Sequence, residues 1–240
     1  HGATPQDGVD STAPTVLEAW KMLDIPTDGS TRTTGPRHTR ASQKLMQALH
    51  DNGYIYQGHY EGWYCVPDET FYTEDQLADG KCPGCGRDVQ FIREDNWFFR
   101  LSAYQERLLA HYEAHPEFVQ PETRRNEVVS FVTGGLKDLS ISRTTFTWGI
   151  PLPFDPAHVM YVWFDALLNY VTAVGYGDPA RAVEFARRWP VQYHLIGKDI
   201  IRFHCVIWPA MLMAAGLELP ETVFAHGFLT GEGKKMSKSL

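Results

Sequence analysis

The chain has 240 residues, 43% hydrophobic and 21% charged, with a net charge of −7. That composition supports one large domain or two modest ones and argues against a surface coated in nucleic acid, while allowing a local basic patch. No apolar run approaches the ~20 residues that span a bilayer, the first ten residues lack a signal-peptide core, and the four cysteines suit a reducing cytoplasm better than a disulfide framework.

Residues 11–24, STAPTVLEAWKMLD, predict a helix capped by Ser11 or Thr12, with Val16, Leu17, Trp20 and Leu23 packed into the core. A polar connection follows over 25–37. Residues 38–52 predict a second helix with Leu45, Met46 and Leu49 on one face and Gly53 at its end. The Tyr- and Trp-rich stretch 54–66 predicts strands of a small antiparallel sheet. Residues 67–95 read as turn-rich, 96–118 as an aromatic helix, and 121–136 as a further helix stopped by Gly134-Gly135. Beyond this the pattern changes. Short apolar strands starting at Val159–Trp163, Tyr193–Ile196 and Val223–Ala225 alternate with helices over 164–174 and 199–216, which indicates a parallel α/β sheet. The expected layout is an α/β domain over 1–55 and 139–230, interrupted by an α+β insertion over 56–138. A loop follows over 231–240.

Several groups carry chemistry. The loop GEGKKMSKSL combines hinge-like glycines with Lys234, Lys235 and Lys238, an inventory suited to neutralising phosphate charge or, more plainly, to a solvated basic tail. Trp163, Ala166, Leu167 and Tyr170 are spaced to share one helix face, either an apolar slot fit for an unbranched thioether or ordinary core. Ile200 and His204 share another face. Gly197-Lys198-Asp199 forms a strand-to-helix turn, where Asp199 is either a ligand group or an N-cap. His226, Gly227 and Leu229 end a strand, the place where open α/β sheets bind ligands. Cys82-Pro-Gly-Cys85 forms a metal-type knuckle. Cys65 lies upstream, and Asp68 stands where a fourth cysteine would complete the pattern; the alternative is a relic knuckle with free thiols. Cys205 reads as a small buried residue.

KMSKS (235–239), together with YVWFDALLNYV (161–171), HLIGKDIIRFHCVIWPAML (194–212) and FAHGFLTGEG (224–233), resembles the methionyl branch of the class I aminoacyl-tRNA synthetases. EGWYCVPDE (61–69), FFRLSAY (98–104), ETRRNEV (122–128) and LSISR (139–143) extend the resemblance over nearly the whole chain. The resemblance implies a Rossmann-like parallel sheet and ATP-dependent adenylation of methionine, followed by transfer to tRNA. It implies that Trp163, Ala166, Leu167, Tyr170, Ile200 and His204 line the methionine pocket. Gly197, Asp199, His226, Gly227, Leu229 and Lys238 would bind ATP, and Lys235, Lys238 and Arg143 would act on the reacting phosphates with Mg²⁺. Zinc held by Cys65, Cys82 and Cys85 with Asp68 is the metal this family resemblance suggests. Some members have Pro at the place of Leu167.

The family's HIGH-type motif does not occur in the sequence, and His1-Gly2 reads as the end of a segment that would follow it. The amine-binding aspartate and the anticodon-reading domain are likewise expected outside these residues, so the 240 residues alone are expected not to aminoacylate. The rival readings are a non-catalytic RNA- or protein-binding module, and a nucleotidylyltransferase, which would leave the Trp163–Tyr170 face without a purpose.

Overall fold

Thr4 opens the first helix, α1 (Pro5–Met22), with a capping box: its hydroxyl accepts from the Asp7 N–H, and the Asp7 carboxylate accepts from the Thr4 N–H. The computed structural model describes residues 2–68, 70–231 and 234–236, with the backbone alone for Tyr60, Thr70, Phe71, Glu94, Lys234 and Lys235. The helix thus starts well before Ser11. The Ser11 and Thr12 hydroxyls donate back to the Gly8 carbonyl instead of capping. The expected core stripe of α1 is also overturned. Val16, Leu17, Trp20 and Leu23 are between 36% and 70% exposed. Helical spacing marks an apolar face but does not supply the surface that covers it.

The second helix, α2 (Pro36–Asp51), behaves as its pattern predicts. Leu45, Met46 and Leu49 are fully buried, each contributing roughly 1.5–3 kcal/mol by leaving water. Gly53 then takes φ +75°, a left-handed turn that suits glycine. Strand β1 (Ile55–Cys65) follows, then β2 (Thr70–Tyr72) and β3 (Gln90–Phe99). β1 pairs antiparallel with β3 from Ile55↔Phe99 to Tyr64↔Gln90. Residues 96–99 therefore finish a strand, not the expected aromatic helix, and residues 90–95 belong to it too. Aromatic side chains fit a pleated surface, where Phe98 stacks on Tyr56 across the strands at 5.7 Å. Helix α3 (Gln105–Ala114) begins only after the 3-10 turn Leu101–Tyr104.

Strand β4 (Val119–Gln120) and helix α4 (Glu122–Thr133) come next, then β5 (Leu139–Ser140), which completes an antiparallel sheet in the order β2-β1-β3-β5. Strand β6 (Ser142–Arg143) pairs antiparallel with β7 (Val159–Met160). The strand expected from Val159 thus stops at Met160 and stays out of the parallel sheet. Tyr161 caps helix α5 (Val162–Ala173), which takes Trp163 with it. Helix α6 (Ala182–Arg188), strand β8 (Tyr193–Gly197), helix α7 (Trp208–Ala215) and strand β9 (Thr222–His226) follow. The parallel sheet has the order β4-β9-β8. β4 lies in the stretch assigned to the insertion, yet it joins this sheet; two residues between Pro116 and Pro121 are too short to show a period. His194, Ile196, Val223 and Ala225 face the core, while Tyr193, Leu195 and Phe224 on the other face are exposed.

The central core joins α2, α5 and α7 through Leu49, Phe164, Leu168, Trp208 and Met211, all fully buried. The predicted helix 199–216 is composite: a 3-10 turn at Lys198–Ile200, a π-helical turn at Phe203–Ile207, then α7, which Gly216 ends at φ +68°. The chain closes with a hairpin of β10 (Thr230–Gly231) and β11 (Lys234–Lys235). Among the described residues no helix is long and apolar enough to cross a membrane.

Candidate active site

Two parallel strands end side by side. Gly197 at the end of β8 is in register with His226 at the end of β9. The turn after Gly197 brings the α7 segment back over the sheet beside α5. A helix-bearing wall packs on β8, and a strand-end wall stands at its C-terminal end.

The wall on α5 and the π-helical turn is aromatic. Trp163 and Phe203 stack with centroids 4.1 Å apart and planes 16° apart. The Tyr170 hydroxyl lies 2.7 Å from His204 Nε2. His204 Nδ1 is 3.0 Å from the Ile200 carbonyl, which can only accept, so Nδ1 carries the proton and Nε2 accepts from Tyr170. Burial holds the His204 pKa below the usual histidine range, partly opposed by that carbonyl. Burial likewise raises the Tyr170 pKa. The pair is therefore neutral, with its one hydrogen-bond direction fixed. Beneath Tyr170 lies His194, its ring 4.1 Å away. It accepts from the Trp208 indole N–H at 3.2 Å, and burial, with His204 next in effect, lowers its pKa to about 4. Leu167 is buried, while Trp163, Ala166, Tyr170 and Ile200 are half-buried and His204 is fully covered. Cys205 next to it is buried, as expected, and burial raises its thiol pKa.

The strand-end wall is polar and open. Asp199 is exposed and does not cap its turn; Gly197 occupies the cap position without a side-chain bond. A Cβ on Gly197 would fall 2.5 Å from Asp199 Oδ1 and 3.9 Å from His226 Cε1, so these three residues converge. His226, Gly227 and Leu229 are exposed. Lys198 Nζ sits 4.4 Å over the Phe228 ring. Arg143 is buried; its guanidinium donates to Ser140 Oγ at 3.0 Å and to the Ser142 carbonyl at 2.7 Å, and lies 4.6 Å over the Tyr161 ring. Of the loop lysines, Lys235 is described only in its backbone, within β11. Lys238 lies outside the described residues.

Sequence reasoning passed over Phe203, His194 and Tyr72. His194 and His204 are ten residues apart, a spacing without helical meaning, because one stands on a strand and the other on a helix.

The knuckle is a separate centre. The donor atoms of Cys65, Asp68, Cys82 and Cys85 all lie within 4.8 Å of one another. Cys65 and Cys85 sulfurs are 3.4 Å apart as free thiols, and the Cys82 thiol is 3.1 Å from Asp68 Oδ2. Burial pushes the Cys82 pKa up, but the hydrogen bond from Tyr72 and those from the Cys85 and Gly84 N–H groups outweigh it, and the net shift is down. At Cys85 the Arg87 N–H lowers the pKa, but the Asp68 carboxylate, burial and the neighbouring sulfurs carry it up to about 12. Gly84 leaves room for the cluster, since a Cβ there would come 3.0 Å from Asp68 Oδ2 and 3.7 Å from Cys82 Sγ. Three soft sulfurs and one carboxylate at this separation fit a tetrahedral zinc ion.

A parallel sheet whose strands end side by side at Gly197 and His226, with the aromatic cluster of α5 packed on β8 at His194, defines an α/β domain of the kind the class I tRNA synthetases share. The chain belongs to the family of tRNA synthetases class I (M), whose model matches residues 1–93 and 85–240. It is 54% identical over 238 residues to the methionine–tRNA ligase of Caldanaerobacter subterraneus, covering 99% of this chain and 37% of that protein. It is 51% identical over 243 residues to that of Thermotoga maritima, covering 100% of this chain and 38% of that protein. A solved structure of Mycobacterium tuberculosis methionyl-tRNA synthetase in complex with methionyl-adenylate superposes with a TM-score of 0.90 at 50% identity, covering 100% of this chain and 48% of that one. The chain thus spans little more than a third of the length of these curated relatives.

Proposed function

We propose that this chain forms part of a methionine–tRNA ligase, contributing the methionine slot and half of the ATP site. Methionine's carboxylate attacks the α-phosphate of ATP, pyrophosphate leaves, and the methionyl group passes from the adenylate to tRNA. The observation that carries this reading is the Tyr170–His204 pair with its single hydrogen-bond direction, set against His194 of β8. An apolar slot with two neutral polar atoms suits a thioether and offers no counter-charge to a charged side chain. Relatives of this chain carry the matching name, and one solved relative is described as bound to methionyl-adenylate.

In this reading Trp163, Ala166, Leu167, Tyr170, Ile200 and His204 surround the side chain of methionine. Asp199 accepts from the ATP ribose hydroxyls, Gly197 lets the nucleoside approach the backbone, and His226, Gly227 and Leu229 border the adenine. No protein nucleophile is required, so the residues work by positioning and charge stabilisation. Arg143, Lys235 and Lys238 neutralise the carboxylate–phosphate region, with ATP entering as its magnesium complex. Residues 56–138, with strands β1, β2 and β3, form a connective insertion within a Rossmann-like domain, and β5 of the following half joins the edge of its sheet. Cys65, Cys82, Cys85 and Asp68 would hold zinc there, supplying a structural crosslink.

The test is ATP–pyrophosphate exchange by the full-length protein that carries this chain. Methionine is expected to support exchange, and isoleucine, valine and leucine are not. Exchange with one of those three and none with methionine would overturn the assignment.

A further inference from the structure

Helix α5 carries a second polar feature on the side away from the aromatic slot. At ~100° per residue, Trp163, Ala166, Leu167 and Tyr170 fall within an arc of about 100°, while Asp165 and Thr172 lie about 160° from its centre. Both face α2, where His38 is 1% exposed. His38 Nε2–H donates to Asp165 Oδ1 at 2.5 Å, and Nδ1 shares a hydrogen bond with Thr172 Oγ1 at 2.7 Å. Ser42, one turn further along α2, brings its hydroxyl to 3.3 Å from Nε2. The imidazole thus bridges two positions seven residues apart, about 10 Å along the axis of α5.

We propose that His38 is a positioning residue for the methionine slot: by bridging Asp165 and Thr172 it fixes the rotation of α5 about its own axis. Elsewhere on α5, Phe164, Leu167, Leu168 and Val171 pack in an apolar core, Trp163 stacks on Phe203, and the Tyr170–His204 bond is a single directional anchor. Apolar contacts are non-directional and one hydrogen bond leaves a pivot; the two-point bridge on the opposite side of the helix removes the remaining freedom to roll. Side chains reach about 6 Å from a helix axis, so a roll of about 10° moves the slot residues by about 1 Å. A shift of that size is enough to cost about 100-fold in a positioned reaction. The strand-end wall, with Gly197, Asp199 and His226, is not on α5 and stays where it is. The clamp therefore acts on the amino-acid half of the site alone.

This inference rests on the proposed ligase function. The experiment is pyrophosphate exchange by the full-length protein with His38→Ala, His38→Gln and Thr172→Val. His38→Ala is expected to raise the KM for methionine about tenfold or more. The KM for ATP should stay within about twofold. Gln can still donate to Asp165 and should recover part of the loss; Thr172→Val, which removes one arm, should show a smaller shift of the same kind. Where His38→Ala yields no folded protein, the other two variants decide. A parallel rise in both KM values, or no rise in either alongside a lowered Tm, would mean a merely structural role and would overturn the clamp. Wild-type protein without methionine-dependent exchange would instead overturn the ligase reading, so the two failures are told apart.

Discussion

Gly197→Ala separates function from stability at one atom. The backbone there has φ −72° and ψ 147°, which alanine adopts freely, so no strain arises from the main chain. The added Cβ would stand 2.5 Å from Asp199 Oδ1, whereas ordinary contact begins at 3.4 Å. Asp199 is exposed and at the free end of a flexible side chain, so its carboxylate swings away by roughly 1 Å at little cost to folding. That displacement takes the carboxylate out of hydrogen-bond range of a ribose hydroxyl. Losing a hydrogen bond to a charged group costs about 1.5–3 kcal/mol, or roughly a 10- to 150-fold rise in KM for ATP. Exchange kinetics in the full-length protein give the KM values, and thermal unfolding gives the stability. The expected outcome is a raised ATP KM, an unchanged methionine KM and an unchanged Tm. An unchanged ATP KM would refute the ribose role of Asp199, and a Tm lowered by several degrees would refute the argument that the clash is relieved at the surface.

Other outcomes can be checked on the same preparations. His194 titrates at about 4 in the fold against an ordinary value of 6.5. The unfolded chain therefore binds the extra proton first, and stability falls as pH drops through that window by about 1.4 kcal/mol per pH unit for this group. His194→Gln should flatten the decline in urea-unfolding free energy between those pH values. Tyr170→Phe leaves His204 Nε2 buried without its donor, so unfolding free energy should drop by about 1–3 kcal/mol and the methionine KM should rise. Zinc should copurify at one equivalent as read by elemental analysis, and Cys82→Ser should abolish it. Its affinity should weaken as pH falls, because Cys85, with its pKa at about 12, must lose a proton to bind.

What could be read from the sequence was whatever repeats locally. Leu45, Met46 and Leu49 stand at helical spacing and are fully buried, and the same spacing groups Trp163, Ala166 and Tyr170 on one face of α5. Spacing failed where a partner decides the outcome. Residues 96–99 are helix-like in isolation but pair with Ile55–Gly58 across the sheet. The stripe on α1 has the right period and stays exposed. The bridge from His38 to Asp165 spans 127 residues and leaves no local mark. The π-helical turn at Phe203–Ile207 was equally hidden, since its residues suit an ordinary helix. Yet that turn sets the rings of Phe203 and His204 against Trp163 and Tyr170.

The two walls of the site differ in a way that bears on how selectivity is built. The aromatic wall is continuous with the core: Leu167, His204, His194 and Trp208 are all buried, and the ring nitrogens of His204 and Trp208 are committed to hydrogen bonds. Its shape is therefore fixed by the same contacts that stabilise the fold, and under the proposed function a change there would alter stability and amino-acid preference together. The strand-end wall of Asp199, His226, Gly227 and Leu229 is exposed and adds little to the core. Under the proposed function, a change there would alter ATP use alone. An unbranched apolar side chain offers few handles, and discrimination by fit alone is worth only ~1–3 kcal/mol per methylene. Building the slot into the rigid interior obtains what discrimination shape can give. In the proposed function ATP, with its charged and hydrogen-bonding groups, would be held by an open edge whose partners need not be pre-set.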